Sequence, residues 1–288
     1  MNETLSLGGA ARATGLRDEA RGIAEELERE HGVLPRLVVV VATEDESTAW
    51  YVRSITRAAG KAHIACDTLR LPADAEAGAI REQLAELSAD TGVHGVILQT
   101  PLPPGTSAAD LAGAIAPHKD VDGANPLSLG RLAAGLPAFA PATAEAVVSL
   151  LDAHGIGLAG RRVAVVGRST VVGKPLAHLL LDRDATVTVC HSRTADLAAV
   201  TRTADVVVAA AGRAGLITAG HLAPGAVVVD VGTNPTEDGG LTGDVDAESV
   251  AGRAAALSPV PGGVGPITTA LLLQHTALAA RFAVAAHQ

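Results

Sequence analysis

Two glycines at the end of an apolar run are the first residues of this chain whose types and spacing suggest chemistry. The run Arg162-Val163-Ala164-Val165-Val166 leads into Gly167-Arg168-Ser169-Thr170-Val171-Val172-Gly173-Lys174-Pro175. A buried strand, a glycine, a small polar loop, a second glycine and a helix start bring backbone N–H groups and a helix N-terminus to a pyrophosphate. The spacing is not GxGxxG, because Ser169 takes the middle glycine position. The plain alternative is an ordinary tight β–α turn. In the NAD form of such a site, an acid about 20 residues beyond the first glycine binds the ribose hydroxyls. Residues 187–194 (VTVCHSRT) contain no acid and offer His191, Ser192 and Arg193 instead, while Arg168 lies in the first loop. Cations and hydroxyls suit a 2′-phosphate, which a carboxylate would repel. The pattern therefore favours NADP over NAD. The alternative is that Arg193 only caps a solvated turn.

A loop of this kind needs an α/β scaffold, and short apolar runs alternate with helical patterns along the whole chain. Helices are expected at 17–31, 46–62, 76–89, 107–115, 143–154, 174–182, 194–201 and 267–283. Strands are expected at 37–43 (LVVVVAT), 63–71, 93–99, 162–166, 186–190, 206–210 and 226–231, with a turn and short strand at 239–244. Thr100-Pro101-Leu102-Pro103-Pro104 ends the third strand as a rigid corner. Residues 119–141 read as a loop-rich stretch that carries function. Residues 161–266 read as a Rossmann-type domain. The last helix is expected to return to the first domain, giving 1–140 plus 268–288 against 141–267.

The totals agree with two domains. The chain has 288 residues, 48% of them apolar. A formal charge of −9 argues against nucleic acid or an anionic membrane as partner. No run reaches the ~18 consecutive apolar residues of a membrane span, and the first residues lack the pattern of a secretion signal. Cys66 and Cys190 form no CxxC, and the ten histidines are scattered, so neither a disulfide framework nor a metal site is expected. The expectation is a soluble cytoplasmic protein.

Several segments together resemble the methylenetetrahydrofolate dehydrogenase/cyclohydrolase family. These are VVGRSTVVGKP (165–175), VTVCHSRT (187–194), GAVVVDVGTN (225–234), GDVD (243–246) and SPVPGGVGPITTALLLQHT (258–276). In the first half, GVILQTPLPP (95–104) and KDVDGANPLSLGRL (119–132) also match. The resemblance covers nearly the whole chain. It implies an α/β protein of two domains, an N-terminal folate-binding catalytic domain and a C-terminal Rossmann-type NADP-binding domain, with a folate cleft between them. It also implies a homodimer that oxidises 5,10-methylenetetrahydrofolate with NADP, and a hydrolytic activity that often shares the cleft.

Carried over residue by residue, Tyr51 matches the tyrosine that packs on the pterin, and Gln99 the active-site glutamine before the proline corner. Asp122 matches the aspartate that pairs with the pterin amino and ring nitrogens. A carboxylate accepting two parallel N–H bonds fixes a ring's orientation. The alternative for Asp122 is an Asx-turn before Gly123. Pro261, Gly262 and Gly263 match the loop where folate and nicotinamide meet. The candidate cofactor positions are Gly167, Arg168, Ser169, Val171, Gly173, His191, Ser192, Arg193, Ala211, Gly212 and Thr233.

One departure concerns the chemistry directly. The family's catalytic lysine lies four residues after the tyrosine, on the same helix face. Here that position is Ile55, in Tyr51-Val52-Arg53-Ser54-Ile55, and Arg53, Arg57 and Lys61 fall on other faces. Thr48 and Ala49 also depart from the usual pattern, as does Pro141-Ala142-Thr143-Ala144, where PCTP is common. Hydride removal from the methylene bridge needs alignment rather than a protein base. Opening the methenyl ring needs proton transfers, which isoleucine cannot perform. The expectation is a dehydrogenase whose cyclohydrolase activity is lost or greatly reduced. Two alternatives remain open: a paralogue acting on another folate or imine, signalled by Ile55 beside Trp50, and a catalytically silent NADP- or folate-binding protein.

Overall fold

The structure is a computed structural model and describes residues 3–236 and 239–286. In chain order its elements are β1 (Leu5–Ser6), α1 (Ala10–His31), β2 (Arg36–Val41), α2 (Glu46–Lys61), β3 (Ala65–Arg70), α3 (Ala77–Ala89) and β4 (Gly95–Gln99). There follow α4 (Ala108–Ala112), α5 (Pro126–Ala133), α6 (Ala142–Ala153), β5 (Arg162–Val166), α7 (Gly173–Leu181), β6 (Thr186–Cys190), α8 (Leu197–Thr201) and β7 (Val206–Ala209). The last are β8 (Val227–Asp230), β9 (Asn234–Pro235), β10 (Leu241–Thr242), α9 (Ala247–Val250), β11 (Ala256–Leu257) and α10 (Val264–Ala285). The described residues fall into two compact units, one within Thr14–Ala142 and Thr269–Gln288, the other within Met1–Ala13 and Thr143–Thr268.

The first unit is built on a three-stranded parallel sheet of order β3-β2-β4. Its central strand, Leu-Val-Val-Val-Val, is buried at every position from Leu37 to Val41. A strand buried on both faces reads as a continuous apolar run rather than an alternation. Val38, Val40, Ile80, Leu84, Val96, Leu111 and Ile115 form its core on one side. On α2, Thr48, Val52, Ile55 and Ala59 make a buried stripe at helical spacing. Asp45 caps that helix by accepting from Thr48 N at 2.7 Å.

The second unit holds a six-stranded sheet of order β1-β11-β8-β7-β5-β6, parallel throughout. Chain order runs outward from β5 to β6 in one direction and from β7 to β8 in the other. The reversal point between β5 and β7 is where open parallel sheets bind ligands beyond their carboxyl ends. Val166, Cys190, Val207, Ala209, Val228 and Val245 belong to its core.

Three local differences from the sequence-based expectations have physical causes. The limits 1–140 with 268–288 against 141–267 differ from the observed units at the N-terminus. There β1 pairs in parallel with β11, and Leu5 N donates to Ala255 O at 2.9 Å, so the first residues join the six-stranded sheet. A strand of two residues has no periodicity to read. His287 and Gln288, at the end of the first range, lie outside the described residues. Within the loop-rich stretch 119–141 sits α5, started by the Asn125 cap and Pro126. Finally, α10 is long and apolar enough by composition to cross a bilayer. Here it is mostly buried in the protein, with Ile267, Leu271, Leu273 and Ala277 inaccessible or nearly so.

Candidate active site

In the first unit, α2 sets Tyr51 and Ile55 one helical turn apart. Tyr51 is half-buried. Burial, aided by the negative charge of Asp122, pushes its phenol up to about 12, while a hydrogen bond with Thr269 opposes the rise. Ile55 is fully inaccessible, whereas Arg53, Arg57 and Lys61 are exposed. None of those three cations shares its position on the buried stripe.

The KDVDG segment divides its labour. Lys119 is buried and its Nζ donates to the Asp90 carbonyl at 2.5 Å, which ties the segment to the end of α3. The Asp120 carboxylate accepts from Ala124 N at 3.0 Å and Asn125 N at 2.8 Å, and its carbonyl accepts from Gly123 N. The turn is thus closed by Asp120. Gly123 has φ +61°, and a side chain there would overlap the backbone of Ala140 and Pro141. Asp122 stands between these anchors. Burial, and then the charge of Asp120, push its carboxyl up to about 7; His275 and the Ala142 N–H oppose the rise. His275 is itself buried, meets the Val121 carbonyl through Nδ1 at 2.8 Å and stacks on Phe139 at 4.8 Å. Gln99 ends β4 half-buried, and its Nε2 donates to the Thr100 carbonyl at 2.8 Å. Tyr51 and Asp122 are therefore brought within each other's field.

In the second unit, the loops after β6, β5, β7 and β8 lie side by side. Gly167 N donates to Cys190 O at 2.9 Å and Ala210 N to Val166 O at 2.8 Å. Gly167 has φ +135°, and a Cβ there would run into the Ala210 carbonyl. A Cβ on Gly173 would run into the Gly167 carbonyl. Both glycines are therefore required by close backbone approach. Ser169 Oγ accepts from Val172 N at 3.1 Å, and Ser169 O from Lys174 N, which bends the loop onto the start of α7. Arg168, Ser169 and Val171 are exposed on this loop. Across β6, His191 turns the next loop: its N–H donates to Thr194 Oγ1 and its Nδ1 accepts from Arg193 N. Ser192 and Arg193 are left exposed. A glycine cradle, a helix start and two exposed guanidinium groups fit a phosphorylated dinucleotide.

Ala211 and Gly212 follow β7, and their N–H groups donate to Asp244 Oδ2. Thr233 is exposed after Gly232. In the PVPGG loop, Pro261 is exposed and Gly262 has φ +113°. Gly263 is packed within 2.8 Å, measured from an added Cβ, of the Pro259 carbonyl. Sequence reasoning did not single out Asp230, Asp244, Thr269 or His275. The first two sit in the matched segments GAVVVDVGTN and GDVD, and the last two in SPVPGGVGPITTALLLQHT.

Comparison with known proteins agrees with both halves of this picture. Residues 7–122 match the catalytic domain of tetrahydrofolate dehydrogenase/cyclohydrolase, and residues 141–284 match the NAD(P)-binding domain of the same family. A bifunctional protein FolD 1 from Saccharopolyspora erythraea is 67% identical over 273 residues, 95% of this chain and 93% of the relative. The crystal structure of the bifunctional FolD from Campylobacter jejuni superposes with a TM-score of 0.93 at 35% identity, covering 97% of this chain and 99% of the other. The Trypanosoma brucei enzyme, solved with NADP cofactor and inhibitor, gives a TM-score of 0.93 at 35% identity and covers 99% of each chain. The chain belongs to the tetrahydrofolate dehydrogenase/cyclohydrolase family.

Proposed function

We propose that this protein is an NADP-dependent 5,10-methylenetetrahydrofolate dehydrogenase whose methenyltetrahydrofolate cyclohydrolase activity is lost or greatly reduced. The observation that supports the second half is Ile55, fully buried one helical turn from Tyr51, where the family resemblance implies a lysine. NADP, when bound, supplies the hydride acceptor. The chain's own work is to bind and orient. Asp122, once ionised, accepts two parallel N–H bonds from the pterin edge and fixes the ring. Tyr51 packs on the pterin and stays a neutral phenol throughout the working range, since its pKa is about 12. Gln99 lends a further polar contact beside the proline corner. Loss of hydride from the methylene carbon leaves the methenyl cation without any proton passing to the protein.

Ring opening differs, because a water proton must be taken up and the leaving nitrogen protonated. Ile55 has no group for either step. Arg168, Ser192 and Arg193 favour the 2′-phosphate of NADP over the bare ribose of NAD. The reading includes a homodimer, as the family resemblance implies, working in the cytoplasm, as the sparse cysteines suggest. The test is to supply methylenetetrahydrofolate with NADP or with NAD and to follow reduced cofactor. Faster turnover with NADP supports the reading, and turnover with neither coenzyme contradicts it.

A further inference from the structure

Two buried carboxylates order the loops at the carboxyl ends of β7 and β8. Asp244 is inaccessible to solvent. Its Oδ2 accepts from Ala211 N at 2.6 Å and Gly212 N at 2.8 Å, and its Oδ1 from Arg213 N at 2.8 Å and Asn234 Nδ2 at 2.9 Å. Three successive amides of one loop thus converge on a single side chain from another. That side chain is held in turn. Asp244 N and Val245 N donate to the two oxygens of Asp230, each at 2.9 Å, and Gly232 N donates to Asp230 Oδ1. Asp230 N donates to Ser258 Oγ at 2.7 Å, which ties in the start of the PVPGG loop. The packing admits nothing larger: a Cβ on Gly232 would overlap the Asp244 carboxylate, and one on Gly243 would overlap Asp230.

We infer that Asp244 is a positioning residue for the dinucleotide, fixing the backbone of residues 211–213 in its binding shape before the cofactor arrives. The inference rests on the reading of Ala211 and Gly212 as cofactor contacts. Without the carboxylate, three N–H groups lose their acceptor at once, and Gly212 and Gly215, both at φ +64°, give the loop many other conformations. A binding loop that must be ordered on arrival weakens affinity without touching the chemistry. The same geometry says what this loop does not do. Its N–H groups are already committed to Asp244, so a phosphate is met by the loop after β5, and residues 211–213 take an uncharged part of the dinucleotide.

The test uses the full chain and Asp244→Asn, which keeps the volume but offers one acceptor oxygen in place of two. Hydrogen exchange is read at residues 211–213 without cofactor, and the NADPH dissociation constant is read by titration. Steady-state constants for NADP and for methylenetetrahydrofolate complete the set. We expect exchange at 211–213 to quicken by about tenfold or more and NADPH to bind about tenfold more weakly, the scale of one lost charge-assisted hydrogen bond. The KM for folate should move far less. Faster local exchange with unchanged NADPH affinity overturns the inference, and so does a parallel loss in both KM values. Should Asp244→Asn not fold, Asn234→Ala removes only one of the four donors. It should move both readouts the same way by about threefold, and no movement in either overturns the inference. Failure of the NADP reading itself appears separately, as a wild-type chain that does not bind NADPH.

Discussion

Residues 167–173 and residues 119–123 are both short, glycine-bearing loops beside a parallel sheet, and they are built from different materials. The first is a backbone object. Its shape follows from two glycines whose missing side chains let the chain touch Ala210 and fold back on Gly167 itself. The second is a side-chain object. Lys119, Asp120 and Gly123 are spent on anchoring, and Asp122 is held where burial and a like charge lift it to about 7. A backbone site accepts a side chain that points out of the cradle, and Ser169 at the middle glycine position even supports the loop by accepting from Val172 N. A side-chain site is expected to change its chemistry when one residue changes, and Ile55 on α2, one turn from the Tyr51 that lies in the field of Asp122, is the position that tests this.

Exchanging that residue gives the largest expected effect. Ile55→Lys should raise hydrolysis of methenyltetrahydrofolate by about 10²-fold or more, the usual worth of a placed acid/base group. It should also lower the melting temperature, because Ile55 is fully buried and an unpaired ammonium is costly there. A variant that folds and gains no hydrolysis would break the side-chain half of the comparison. In the loop after β5, Gly167→Ala should reduce NADPH affinity by about 10²-fold or prevent folding, since the new methyl group meets backbone at a φ of +135°. Binding that survives unchanged would show that the cradle is less tight than its contacts.

Asp122 gives the next effect and a pH signature. Asp122→Asn should cut kcat/KM for the folate by about 10–100-fold. In the wild type, kcat/KM should rise as pH passes through about 7, where the carboxylate forms, and the variant should lack that step. Stability runs the other way. The folded state holds the Asp122 proton up to about 7, whereas the unfolded chain releases it near ~3.9. Folded protein therefore binds more protons between those values, and Asp122 costs stability progressively as pH rises through that window. The melting temperature of Asp122→Asn should gain on the wild type across it, and a constant gap would contradict the shift. The smallest effect belongs to the exposed cations. Arg193→Ala should lower the preference for NADP over NAD by about tenfold in kcat/KM, consistent with one lost charge-assisted contact at the surface. An unchanged preference would leave Arg193 as a turn residue.

The parts of this molecule that were legible in the sequence are those where local pattern and tertiary role coincide. The strand Leu37–Val41 is apolar because both faces are covered, and the two glycines stand where backbone meets backbone. The α/β plan and the family follow from such features. Most of what escaped had no local signature. The edge pair β1 and β11 is two residues long on each side and exists only through pairing across the chain. Helix α5 does carry a local start signal, the Asn125 cap followed by Pro126, but it is only 8 residues long, contains Gly130 and lies in a loop-rich stretch. Asp230 and Asp244 look like any acids in sequence. Their role comes from burial and mostly from amides more than ten residues away. Ile55 was legible as a departure from the pattern the resemblance implies, and the structure adds that it belongs to the apolar stripe of α2.

The central claim, oxidation without efficient ring opening, is tested most directly by following the folate product itself. Wild-type protein is given methylenetetrahydrofolate and NADP, and methenyl- and formyltetrahydrofolate are measured together over time. The account predicts that methenyltetrahydrofolate accumulates nearly one for one with NADPH. Formyltetrahydrofolate appearing in step with NADPH, with little methenyl species at any time, would contradict it.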